Sequence, residues 1–228
     1  SANILQQQAT IPSGSRWSGT GTSSRKPDTA KPSCRTGTAW KSSALWEVVK
    51  LIPTKEEWYS ALSERYGEKI QNSFESATVA ICGLGGLGSN IAFALARAGI
   101  GKLILIDFDS VDITNLHRQQ YKVSQIGMSK TQALKENLLE IAPYVTIETH
   151  SVRISENNAE ELLEKTDIIC EAFDDAECKA MLVNLVLERM PEKYLVAASG
   201  MAGFGSANSI QTRRVSKRFY ICGDETSD

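Results

Sequence analysis

The chain has 228 residues, 42% apolar and 23% charged, with a formal net charge of −2, which suits one well-buried globular domain and is short for two. That charge gives no global footprint for nucleic acid or an anionic membrane, and no run approaches the roughly 18 uninterrupted apolar residues of a membrane span. The five cysteines (34, 82, 170, 178, 222) are scattered and form no C-x-x-C pair, which argues against a disulfide framework or a self-contained zinc site and makes the reducing cytoplasm the expected compartment.

Residues 1–50 carry seven Lys/Arg against Asp28 and Glu47, so they are basic while 51–228 are acidic. The first stretch is rich in Ser, Thr, Gly, Pro and Lys and shows no apolar period. Such a segment buries too little surface to offset chain entropy, and it reads as a disordered leader. It lacks a compact apolar segment before a small-residue cleavage site, so no secretory signal is expected. One folded domain is expected over 51–228.

Order is expected from near Pro53. Thr54 followed by Glu57 is a capping-box pattern opening a helix through about Arg65, and a second helical stretch runs through Ile70 and Phe74. TVAIC (78–82) reads as a buried strand, followed by a glycine loop and an Ala-rich helix over 88–98 that Gly99 ends. LILID (103–107) is the next strand. A helix over 129–141 stops before Pro143, and TIETH (146–150) alternates like a strand. Then come a helix at 156–165, the strand DIICEAF (167–173), a helix at 176–189 and the strand YLVAAS (194–199). Strands and helices alternating in this way predict an α/β, Rossmann-like, mostly parallel sheet with helices on both faces. After Gly200 the helical period vanishes, and 203–214 reads as strands of an antiparallel extension.

The first strand runs into Gly83-Leu-Gly85-Gly-Leu-Gly88, a Gly-x-Gly-x-x-Gly loop. Gly83 permits the tight turn, Gly85 lets backbone amides approach a phosphate, and Gly88 lets the helix pack on the strand. The helix N-terminus then offers free N–H groups to an anion. Asp107, ending the second strand 19 residues beyond Gly88, is suited to hold ribose hydroxyls. These features predict a nucleotide site without separating NAD, FAD and ATP.

The residues after Asp107 narrow the choice. A polar loop carries Asn115, Arg118 and Gln119, and Gly127-Met-Ser-Lys130 opens the next helix. Arg offers a planar fork of donors to phosphate oxygens and Lys a compact charge, the groups that would surround a triphosphate. Duller readings stand beside these. Asn115 could cap a turn, and Arg118 and Lys130 could be solvated surface charges, although a cation in a helix's first turn opposes the macrodipole.

In order, the glycine loop (83–88), the D-x-D strand end (107–109), the T-N-L-x-R-Q loop (114–119), the G-x-x-K helix start (127–130) and Asp174 resemble the ThiF/MoeB family and its eukaryotic relatives, the activating enzymes of ubiquitin-like proteins. The resemblance covers about residues 54–225 and is most specific to the shorter ThiF-type proteins of thiamine thiazole synthesis. It implies ATP-dependent adenylation of the C-terminal Gly-Gly carboxylate of a ThiS-like ubiquitin-fold sulfur-carrier protein, in a homodimer. It also implies that Asn115, Arg118, Gln119 and Lys130 contact phosphates and that Asp174 binds Mg²⁺. Asp174 stands just before a helix and could instead cap it, and Asp175 replaces an amide common in the family. In that chemistry the nucleophile comes from the substrate, so no Ser-His or Cys-His pair is required.

The chain departs from the pattern in places. Arg65-Tyr66-Gly67-Glu68-Lys69 carries Glu where relatives have a second Arg that reaches a partner subunit's ATP. The paired zinc cysteines of longer relatives are missing, so no zinc is predicted. Cys222, in a turn-like stretch, is the positional candidate for a sulfur-transfer cysteine. The competing readings are an NAD- or FAD-dependent oxidoreductase, a non-catalytic adaptor of the same fold, and a relative that activates a tRNA or small-molecule acid.

Overall fold

The computed structural model describes residues 52–200 and 203–226, so the leader reading of 1–50 lies outside the described residues. Thr54 caps α1 (Lys55–Tyr66) through both capping-box bonds with Glu57, at 3.2 and 2.8 Å. Gly67, at φ 83°, separates α1 from α2 (Glu68–Ser76). The next elements alternate as expected, β1 (Thr78–Cys82), α3 (Gly86–Ala98), β2 (Lys102–Ile106), α4 (Lys130–Ile141), β3 (Thr146–His150), α5 (Ala159–Leu163), β4 (Ile168–Glu171), α6 (Ala176–Arg189) and β5 (Tyr194–Ala198), and two strands follow, β6 (Gln211–Arg214) and β7 (Phe219–Gly223).

The strands form one seven-stranded sheet in the order β3-β2-β1-β4-β5-β7-β6, with parallel pairing throughout except for antiparallel β6–β7. Alternate residues of a strand face opposite sides, and both sides are covered. Val79, Ile81, Leu103 and Leu105 pack with Ala92 and Ala96 of α3 and Leu134 and Leu138 of α4. Ala80, Ile104, Ile106 and Ile169 pack with Leu163 of α5 and Leu182 and Leu185 of α6. Strands buried on both faces have near-continuous apolar runs, as β1 and β2 do. Strand order reverses at β1, which lies between β2 and β4, and in such sheets ligands bind outside the carboxyl ends of the strands at that point.

Three expectations need correction. The helix expected at 156–165 is confined to Ala159–Leu163. Asn158 is the cause: its Oδ1 accepts from Ser155 N and its Nδ2 donates to Arg153 O, which holds the preceding residues in a turn. Of 203–214 only β6 is a strand, preceded by a 3-10 turn at Ala207–Ser209. Cys222 lies in β7 rather than in a turn, opposite Ala198 of β5 and Thr212 of β6. Among the described residues no helix is long and apolar enough to cross a membrane.

Candidate functional site

β1 feeds directly into Gly83, whose φ of 92° only glycine adopts readily. A Cβ there would sit 2.8 Å from Ala172 O and 3.0 Å from the Phe173 ring. At Gly88 a Cβ would lie 1.9 Å from Gly83 O, so the helix touches the turn backbone to backbone. Gly85 differs, because a Cβ there would meet only Gln119 Nε2, at 4.0 Å. Its bare face opens onto space that no described residue fills, at the N-cap of α3, where no side chain caps the free N–H groups.

Asp107 is buried at 8% exposure. Its Oδ2 accepts from Leu84 N at 2.6 Å and its Oδ1 from Asp109 N at 2.8 Å. The carboxylate therefore shapes both the glycine loop and its own turn, and each oxygen keeps a second lone pair for a ligand hydroxyl. Tyr121, which the sequence reading did not single out, donates its hydroxyl to Leu84 O at 2.8 Å. Burial, reinforced by the charges of Asp107 and Asp109, raises its pKa and keeps the phenol a donor.

The loop after β2 folds back over α3. Asn115 Oδ1 accepts from Arg118 at 3.2 Å and from Gln119 Nε2 at 3.0 Å. The Arg118 side-chain stem lies 3.3 Å from the Cβ position of Gly86, and Arg118 O accepts from Asn90 Nδ2 at 3.2 Å. Gln119 is buried, and its Oε1 has no hydrogen-bond partner, a polar atom left for a ligand or a water. Lys130 is no surface charge: its side chain is 8% exposed and its Nζ donates to Asp109 Oδ2 at 2.8 Å. That bond links the D-x-D strand end to the first turn of α4.

Asp175, not Asp174, caps α6, accepting from Cys178 N at 2.7 Å. Asp174 is exposed and makes no hydrogen bond or ion pair among the described residues. It follows Phe173, whose ring lies against Gly83, so it stands beside the glycine loop. Gly83, Gly85, Gly88, Asp107, Asn115, Arg118, Gln119, Lys130 and Asp174 are thus joined by direct or next-neighbour contacts. Cys222 is not brought to this group, since β7 lies three strands from β1, roughly 14 Å at ~4.8 Å per strand. Glu171 and Lys179 escaped the sequence reading. Glu171 is 1% exposed and receives Lys179 Nζ on both oxygens, at 2.9 and 3.1 Å. A lone acid closing an apolar strand was the available signal.

The model of the ThiF family matches residues 59–222. The chain belongs to the ThiF family. Among ThiF-related proteins, it is 34% identical over 142 residues to the adenylyltransferase and sulfurtransferase MOCS3 of Caenorhabditis briggsae, covering 61% of this chain and 35% of that protein. It is also 34% identical over 167 residues to ubiquitin-like modifier-activating enzyme 5 of Caenorhabditis elegans, covering 67% and 39%. The chain thus spans little more than a third of these curated relatives. Among solved structures, the E. coli tRNA N6-threonylcarbamoyladenosine dehydratase TcdA in complex with ATP superposes with a TM-score of 0.65 at 27% identity, over 73% of this chain and 70% of that one. A second structure of TcdA contains AMP.

Proposed function

We propose that this ThiF-family chain uses ATP to adenylate the C-terminal carboxylate of a small ubiquitin-fold sulfur-carrier protein of the ThiS type, releasing pyrophosphate. The observation that carries the reading is the open face of Gly85 next to Gln119, in a glycine loop that Arg118 packs on at Gly86 and that Asp107 holds at Leu84, with Lys130 tied to the same strand end through Asp109. These groups suit a ribose and a chain of phosphates.

Each residue contributes its own chemistry. The amides at the start of α3 face a phosphate without steric obstruction, and Asp107 retains acceptors for ribose hydroxyls. Arg118 and Lys130 supply positive charge where negative charge develops on phosphate oxygens. A carrier carboxylate oxygen bonds to the α-phosphorus, the bond from that phosphorus to the bridging oxygen breaks, and pyrophosphate leaves with its electrons. The chain's own part is to hold two anions in line.

Among the described residues no three His, Cys, Asp or Glu side chains gather to hold a metal by themselves. Mg²⁺ is commonly held by one or two carboxylates together with substrate phosphates. Asp174, exposed and unpaired, is the residue that would hold it, and the ion would neutralise phosphate charge.

ATP–pyrophosphate exchange against a panel of purified Gly-Gly-tailed carriers tests the reading. One carrier is expected to stimulate exchange, and Arg118→Ala and Lys130→Ala are each expected to slow it by about 10²–10³-fold. Near-normal exchange in both variants excludes the roles given to them. A second reading has its own support, since TcdA in complex with ATP superposes on 73% of this chain with a TM-score of 0.65. In that case tRNA bearing a carboxylate-modified nucleoside, and no carrier, would provoke ATP cleavage.

A further inference from the structure

Glu171 ends β4 between Cys82 of β1 and Ala197 of β5, with its side chain wholly withdrawn from solvent. A buried carboxylate is costly unless it is paired and fully hydrogen-bonded. Here both oxygens are engaged. Lys179 Nζ reaches each of them, Phe173 N donates to Oε1 at 2.7 Å, and Ala198 N donates to Oε2 at 3.3 Å. Lys179 has one further contact, donating from Nζ to Phe173 O at 2.9 Å.

The ion pair therefore grips one residue from both ends. Glu171 takes the N–H of Phe173 and Lys179 takes its carbonyl. That carbonyl belongs to the peptide plane that also contains the amide nitrogen of Asp174, so the backbone entering Asp174 is fixed in direction. The same segment is pinned to the glycine loop, because Ala172 N donates to Cys82 O at 2.9 Å and the Phe173 ring abuts Gly83. Lys179 lies one turn inside α6, four residues beyond the Asp175 cap, and its side chain runs back toward the helix N-terminus. A cation there opposes the helix dipole. Buried ion pairs are poor stabilisers relative to apolar pairs of similar volume, and no apolar pair could hold both polar groups of Phe173.

We infer that Glu171 and Lys179 are a positioning pair that aims the Asp174 carboxylate at the metal-bearing phosphates of the nucleotide without touching the nucleotide themselves. The inference rests on the proposed ATP reading. It assigns the pair a role in metal-dependent nucleotide affinity that is separate from its contribution to folding. Outer partners that orient a ligating side chain typically change metal affinity by about 10–100-fold when removed.

The test uses the full chain and calorimetric titration of ATP with and without Mg²⁺, giving for each variant the ratio of the two affinities. Asp174→Asn is expected to collapse that ratio. Lys179→Met is expected to lower it by about tenfold while leaving metal-free ATP affinity unchanged. Lys179→Arg, which keeps charge and reach, restores it. The double variant Lys179→Met with Asp174→Asn should be no worse than Asp174→Asn alone, because both remove one function. If Lys179→Met does not fold, Lys179→Gln, with one amide donor of similar reach, carries the same expectation. A Lys179 variant that melts earlier yet keeps the wild-type ratio, or effects that add in the double variant, overturn the positioning role and leave the ATP reading standing. Absence of ATP binding by the wild-type chain overturns both.

Discussion

Gly85→Ala separates what the glycine loop does for the fold from what it does for a ligand. The added methyl of Gly85→Ala would meet no described atom closer than Gln119 Nε2 at 4.0 Å. That methyl therefore clashes with no neighbouring side chain or backbone in the folded chain. With a bound phosphate it does clash, because the methyl projects into the space through which the phosphate approaches the amides of α3. Overfilling a packed contact typically costs about 1–3 kcal/mol, which corresponds to roughly 5–150-fold weaker binding. Calorimetric titration with ATP reads that loss, and a thermal melt on the same sample reads the fold. Gly88→Ala is the contrasting control. Its methyl would stand 1.9 Å from Gly83 O, where an unstrained carbon–oxygen contact needs about 3.3 Å, so helix and loop must part and melting temperature and affinity fall together. Wild-type ATP affinity in Gly85→Ala would refute the assignment of this loop to phosphate.

Asp107→Ala leaves the Leu84 and Asp109 amides without their acceptor, and a loss of about 1–3 kcal/mol is expected in urea unfolding, together with loss of ATP binding. Unchanged urea stability would show that these bonds do not organise the loop. The bond from Cys178 N holds the Asp175 carboxyl below its usual pKa, so the cap stabilises the fold above the unfolded carboxylate range and is lost as pH falls through the depressed native value. The melting-temperature gap between wild type and Asp175→Ala should accordingly be full at neutral pH and close under acid, whereas a gap that widens on acidification contradicts the cap. Burial raises the Cys82 thiol and pushes Cys170 up to about 11, while Cys178 and Cys222 are partly exposed. Brief iodoacetamide treatment read by peptide mass spectrometry should label the latter two and spare the former until denaturant is added, and early labelling of Cys82 or Cys170 would contradict their burial.

Most of the sheet was legible because its strands are buried on both faces and leave near-continuous apolar runs, as in VAIC (79–82) and LILI (103–106). The glycine loop was legible because Gly83 takes a positive φ and Gly88 leaves no room for a Cβ, and Asp107 because an acid closing an apolar strand stands out from its neighbours. Local competition misled the reading at α5, where Asn158 diverts the preceding backbone into a turn. Phe219–Gly223 was not foreseen as a strand because its partner β5 is distant in sequence and its own residues include Gly and Cys. The Asp109–Lys130 bond and the grip of Glu171 and Lys179 on Phe173 depend on which loops meet after folding, and spacing alone does not encode that. Of the two adjacent acids, geometry separated the capping Asp175 from Asp174.

The outer rim of β6 has a consequence for how the folded molecule behaves in concentrated solution. Its four residues, Gln211–Arg214, are all exposed, and β7 is its only described neighbour. A row of unpaired amides and carbonyls invites another chain to zip alongside. Brevity and two adjacent arginines, one of them held by Glu225, discourage this because a second strand must approach across their charge. Replacing that pair with valines would lengthen the apolar character of the rim and turn a guarded margin into a seed for self-association.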